Sequence, residues 1–153
     1  MRRWRTQKNG DQGAQALGRS RGGFSTKIHV SVDGLGNPLR FLLTAGQRHD
    51  ITQAEALVVG FLELADYLIG DRSYDAKDFI EHIVNQGAEP VIPSSKTRTE
   101  QRDYDKHLYK ERHLVECLIN KMKHFRRVFS RYEKLASRYL GFLNLTAALI
   151  WLR

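Results

Sequence analysis

The chain has 153 residues, the length of one domain, and its 41% hydrophobic and 27% charged content excludes intrinsic disorder. Lys plus Arg number 25 against 17 Asp plus Glu, a formal charge of +8 that favours a polyanionic partner, most simply nucleic acid. One cysteine, Cys117, excludes an intrachain disulfide and a cysteine-rich zinc site, while the longest apolar tract, 139–152, is too short and too mixed to span a bilayer.

Residues 1–22 are polar and punctuated by Gly10, Gly13, Gly18 and Gly22, without helical or strand periodicity, and read as a mobile basic loop. Residues 27–32 then alternate, Ile28, Val30 and Val32 on one face and Lys27, His29 and Ser31 on the other, which predicts a strand. A turn cluster over 33–38 and a second strand over 39–44 complete a β-hairpin. Asp50 or Thr52 opens a helix, Thr52 and Glu55 at capping-box spacing, with Ala54, Leu57, Val58, Phe61 and Leu62 on its buried face. Residues 67–70 predict a short strand ending at Asp71. Asp75 is the predicted cap of a helix that buries Phe79, Ile80, Ile83 and Val84 and stops at Gly87. Val91 and Ile92, flanked by Pro90 and Pro93, predict an edge strand. A polar basic loop over 94–106 precedes a long helix from about Tyr109 past Met122, and a final helix over 137–152 has Leu145, Leu149 and Trp151 as core residues. The order is β-β-α-β-α-β-α-α, an α/β domain over 23–153 behind the segment 1–22.

Charge is segregated. Residues 1–30 carry a net +6, residues 31–93 a net −6 and residues 94–134 a net +6. Solvated surface explains any one such run. The whole pattern also fits a DNA-binding surface around an acidic centre, which repels phosphate unless a cation sits there. Asp71, leaving a strand's C-terminal end, is placed either for a metal or to cap a turn. On the long helix, Tyr109, Arg112, Glu116 and Lys123 share one narrow stripe at about 100° per residue, with Leu114, Leu118, Met122 and Phe125 opposite. Arg112 and Glu116 make an ordinary i, i+4 pair; Lys123 lies two turns from Glu116 and is not explained by pairing. The six histidines show no ligand spacing on a shared face, except near His107 and His113, and metal binding by any of them is not expected.

The array Tyr109, Arg112, Glu116, Lys123 resembles the YREK motif of bacterial insertion-sequence transposases in the DDE superfamily, in all four residue types and all three spacings. Asp71, within Gly70-Asp71-Arg72-Ser73-Tyr74-Asp75, resembles the strand-end segment with that family's second catalytic Asp. Residues 15–29 and 123–153 resemble further family segments, so the likeness covers 15–153. It implies a ribonuclease-H-like mixed sheet flanked by helices, and a DDE transposase chemistry: metal-dependent phosphodiester hydrolysis and strand transfer at insertion-sequence ends. Asp71 and Glu116 would hold metal, two Mg²⁺ ions (Mn²⁺ as substitute) in a complete site. Tyr109 and Arg112 would orient Glu116 or touch phosphate, and Lys123 would contact the DNA backbone. Arg19, Arg21, Lys27, Arg126, Arg127 and Arg131 complete the expected DNA-binding set.

The family's first catalytic Asp lies on a first, central strand upstream of Gly18. Only Asp11 precedes Gly18, in a Gly/Gln-rich run with no strand pattern, and Asp33 is a turn residue. The expectation is therefore a downstream part of the catalytic domain, lacking its first strand, inactive alone, and left with open sheet edges. The expected partners are double-stranded DNA at transposon ends and target, an upstream transposase polypeptide carrying the first Asp, and further copies of the chain on DNA. No membrane partner is expected, and the expected setting is the bacterial cytoplasm at the nucleoid. A non-catalytic DNA-binding remnant and another ribonuclease-H-like nuclease are the alternatives.

Overall fold

The computed structural model describes residues 15–20 and 23–153. Its elements are β1 (Gly18–Ser20), β2 (Gly23–Val32), β3 (Pro38–Ala45), α1 (Ala54–Val58), β4 (Tyr67–Ile69), α2 (Lys77–Asn85), β5 (Glu89–Val91), α3 (His113–Lys123), α4 (Arg126–Phe129) and α5 (Ala136–Trp151). The architecture is α/β, but the strands divide into two sheets where one mixed sheet was expected: an antiparallel β1-β2-β3 and a parallel β4-β5. Parallel neighbours need a crossover, and α2 supplies it.

The β2–β3 hairpin forms as its alternation predicts, Val30 opposite Phe41 and His29 opposite Leu42. Its turn is set by Asp33, whose Oδ1 accepts from the Leu35 and Asn37 N–H groups, and by Gly36 at φ +83°. Both faces of the hairpin are covered. Val30, Val32, Phe41 and Leu43 join a core with Leu118 and Met122 of α3, Val128 of α4, and Tyr139 and Leu143 of α5. Leu42 packs on a second core of Ala54, Leu57, Val58, Leu62, Phe79, Ile80, Ile83, Ala88 and Ile92. The His29 side, polar by sequence, meets α1: Ser31 Oγ donates to Leu57 O at 3.1 Å and Arg40 Nη1 to Ala56 O at 2.7 Å.

Several expectations are corrected. Gly18–Ser20, read as loop, pairs antiparallel with Gly23–Ser25; the rest of the segment 1–22, with Asp11 and Arg21, lies outside the described residues apart from 15–17. The Thr52–Glu55 capping box does not form. Thr52 Oγ1 donates to His49 O, and the helix is a 3-10 turn (Asp50–Gln53) plus five α-helical residues, ended where Gly60 turns at φ +87°. Asp75 does not cap α2, whose N-cap is Ala76 without a side-chain bond, and Val84 is exposed beside buried Ile83. The last strand is Glu89–Val91, with Pro90 inside it, and Ile92 follows as a fully buried residue. Tyr109 lies in a 3-10 turn (Leu108–Arg112), so α3 begins four residues later than predicted. Leu145, Leu149 and Trp151 are exposed, because at about 100° per residue the buried face of α5 is that of Tyr139, Leu143 and Thr146. Trp151 closes the end of α5 differently, donating Nε1–H to Pro38 O at 2.8 Å. No helix among the described residues is long and apolar enough to cross a membrane.

Candidate active site

Strand β4 delivers Asp71. Gly70 extends its pairing by donating to Val91 O, and a Cβ there would meet Ile92 Cγ1 at 3.2 Å, so the glycine permits the close pass of the chain over Ile92. The Asp71 carboxylate then caps the following 3-10 turn: Oδ1 accepts from Ser73 N–H at 2.8 Å and from Ser73 Oγ at 2.5 Å. The turn-capping role foreseen for Asp71 is present, and it fixes one carboxylate oxygen at the strand's C-terminal end, where ligand sites of open α/β sheets gather.

Two acids act on the turn's last residue. The Tyr74 phenol is pushed up to about 12 by burial, with the charges of Asp50 and Asp71 adding to the effect. The 3-10 turn Asp50–Gln53 packs directly on Arg72–Tyr74. Asp50 itself is held from the hairpin, by Lys27 Nζ at 3.1 Å and His29 Nδ1 at 3.6 Å. His29 is buried, its Nε2 bonded to Thr44 Oγ1 at 2.8 Å; burial pulls its pKa down, Asp50 partly restores it and Lys27 opposes it, leaving a neutral imidazole at pH 7. Sequence reasoning took Asp50 for a helix start and gave His29 no role. The available signal was position: Asp50 follows the second hairpin strand much as Asp71 follows β4.

Asp75 anchors the basic loop. Its side chain is fully buried; Oδ2 accepts from Ser95 N–H at 2.6 Å and pairs with Arg98 Nε at 3.0 Å, and Oδ1 accepts from Arg102 Nη2 at 2.9 Å. Burial alone would raise its pKa, but the Ser95 N–H and the two guanidiniums outweigh it and hold the carboxyl below the usual 3.8.

The four-residue stripe is partly assembled. Arg112 Nη2 donates to Glu116 Oε1 at 2.5 Å, one turn apart and with both side chains partly exposed. Lys123 Nζ donates instead to Asn120 Oδ1 at 3.1 Å, and Tyr109 meets Tyr104 edge-on with centroids 5.4 Å apart. Strand β4 lies against Leu108–Arg112, so the strand that delivers Asp71 abuts the turn that opens the Glu116 helix. Among the described residues no three His, Cys, Asp or Glu side chains gather closely enough to hold a metal ion. Among the described residues the donors therefore fall short of a complete metal centre.

The expected DNA-binding residues separate into two groups. Arg126 and Arg127 are exposed on α4. Arg131 points inward: its guanidinium donates to Gln15 O, Ala16 O, Thr26 Oγ1, Glu133 O and Lys134 O and lies over the Tyr139 ring. Lys27 is engaged by Asp50 and by Arg48 O. Arg19 lies in β1, opposite Phe24.

A strand that ends at Asp71 and packs on the turn before the Glu116 helix belongs to a class of protein that the sequence comparisons define. The family model for the transposase DDE domain matches residues 2–151, and the chain belongs to that family, whose members act in DNA transposition and use divalent metal ions. It is 41% identical over 131 residues to a Brucella ovis protein named as a transposase for insertion sequence element IS6501, an alignment covering 85% of this chain and all of the relative. It is 32% identical over 159 aligned positions to one from Burkholderia cepacia named for insertion sequence element IS402, covering 97% of this chain and 71% of the relative. No solved structure matches the chain.

Proposed function

We propose that the chain works in DNA transposition as the downstream part of a ribonuclease-H-like catalytic domain, with Asp71 and Glu116 as two of three metal-binding carboxylates. The third comes from an upstream transposase polypeptide, on a strand that inserts between the β2–β3 hairpin and β4. The observation that carries this reading is the packing of β4, with Asp71 at its end, against the turn that opens the Glu116 helix. The division into two sheets favours it further, since an unjoined sheet has edge groups to offer an added strand. In a completed site Mg²⁺, or Mn²⁺ in its place, supplies charge stabilisation of the attacking and leaving oxygens of a phosphodiester. Within this chain Arg112 orients Glu116 through their hydrogen bond, Tyr109 helps orient Glu116 or touches phosphate, and Lys123, Arg126 and Arg127 meet the DNA backbone. Duplex DNA at the element's ends and target is the partner, bound by more than one copy of the chain at the nucleoid.

The test mixes the chain with the upstream polypeptide and a duplex bearing the element's end, and follows Mg²⁺-dependent nicking. Cutting is expected only in the mixture, and Glu116→Gln is expected to abolish it. Persistent cutting by that variant removes Glu116 from the mechanism, and robust cutting by the 153-residue chain alone overturns the need for a third carboxylate. The lack of a third carboxylate beside Asp71 and Glu116 among the described residues favours one other reading, a DNA-binding remnant without chemistry; binding with no cutting in any mixture would establish it.

A further inference from the structure

Beyond the carboxylates, one surface feature combines held cations with unburied aromatic rings. A cleft of about 390 Å³ is lined by Arg126, Arg127 and Tyr132, a volume within the range of small-ligand sites. The core beneath is already closed by Val128, Tyr139 and Leu143, yet Phe129 and Tyr132 stand 67% and 59% exposed. The arginines are pre-positioned. Arg126 lies over the Tyr132 ring at 5.9 Å, with Nε donating to its hydroxyl at 3.4 Å. Arg127 lies over Phe142 at 4.9 Å and pairs with Glu133 Oε1 at 3.2 Å, which offsets part of its charge and leaves Arg126 as the stronger phosphate donor. Tyr139 does not reach the cleft, since its hydroxyl donates to Val128 O.

An exposed ring takes any base by its π-face, and a guanidinium fixed beside it takes the adjoining phosphate. A paired base inside a duplex offers only its edges, because its faces are stacked. We propose that this cleft binds one unpaired nucleotide of a DNA strand, its base on Tyr132 and its phosphate on Arg126 and Arg127. The inference rests on the DNA-binding part of the proposed function and adds a preference for unpaired strand at this position.

The test measures fluorescence anisotropy of the full chain with fluorescein-labelled oligothymidylate and with a labelled blunt-ended duplex without unpaired nucleotides. Tyr132→Ala is expected to weaken oligothymidylate binding by about 5- to 150-fold, the range for losing one stacked base, and to leave duplex binding within about two-fold. Tyr132→Phe keeps the ring and is expected to bind like the parent. Arg126→Ala should weaken both forms and lower the salt-dependence slope by about one phosphate contact. Duplex binding with oligothymidylate affinity untouched by Tyr132→Ala, or an equal loss on both DNA forms, overturns this inference alone. Failure to bind either DNA overturns the proposed function as well. The exposure of Tyr132 makes a folding defect separable, since the thermal midpoint of the variant should match the parent.

Discussion

Replacing Asp75 with Asn keeps the side chain's shape and removes its charge at the most enclosed ion cluster described in this chain. The carboxylate is fully buried; it accepts hydrogen bonds from Ser95 N–H at 2.6 Å and Arg102 Nη2 at 2.9 Å and forms an ion pair with Arg98 Nε at 3.0 Å. An amide can still accept from Ser95, but its N–H₂ would confront a guanidinium donor. Breaking a buried pair by changing one partner costs about 3–5 kcal/mol. Arg98 and Arg102 are 36% and 24% exposed and can regain some water, which lowers the expectation to about 3 kcal/mol. For a domain of this size that is a fall of about 6–12 °C in Tm, read by circular dichroism at neutral pH. The cluster also sets a pH dependence. Because the folded-state pKa lies below 3.8, the stabilisation is complete above the unfolded value and fades as pH falls through the folded one. The gap between parent and Asp75→Asn should therefore narrow in acid. Adding Arg102→Met to Asp75→Asn should cost less than the two single losses combined, since the second change removes a cation already stranded. A Tm change under about 2 °C at neutral pH, or an undiminished gap in strong acid, would refute the role assigned to this carboxylate.

Arg131→Met should destabilise the chain by about 3 kcal/mol, because five oxygen atoms from residues 15–26 and 133–134 lose one shared donor; it should leave the salt dependence of DNA binding unchanged, and a reduced slope in anisotropy titrations would return Arg131 to the DNA-contacting set. Tyr74 should ionise near 12 in a spectrophotometric titration, and since its folded pKa is the raised one, the stability tied to its neutral form is full below about 10 and lost as pH climbs through about 12. Tyr74→Phe should flatten that alkaline loss; an unaltered alkaline limb would show that Tyr74 is not buried against Asp50 and Asp71.

Local pattern sufficed wherever one element's own residues settle the outcome. Alternation over 27–32 with the turn at 33–38 predicted the hairpin, the positive-φ stop at Gly87 ended α2 where expected, and the spacing of Arg112 and Glu116 delivered their ion pair. The YREK array and the Asp71 segment also placed the chain in the family that the comparison with the transposase DDE domain shows. These are short-range properties: each depends on spacing within a few residues, which a sequence states outright.

The tertiary structure decided which partners those residues meet. Arg131 looked like one more surface cation until contact with residues more than 100 positions away drew it inside. Asp75 looked like a helix cap, but the returning loop at 95–102 offered it an N–H and two guanidiniums, a stronger set of donors than a helix end. Leu145 and Leu149 belong to an apolar helix, and only the docking of α5 on β3 fixed which of its faces is buried. Sequence determined the family and most of the elements because those follow from local chemistry; the structure determined long-range burial and pairing, because they depend on which distant segment arrives to cover each face.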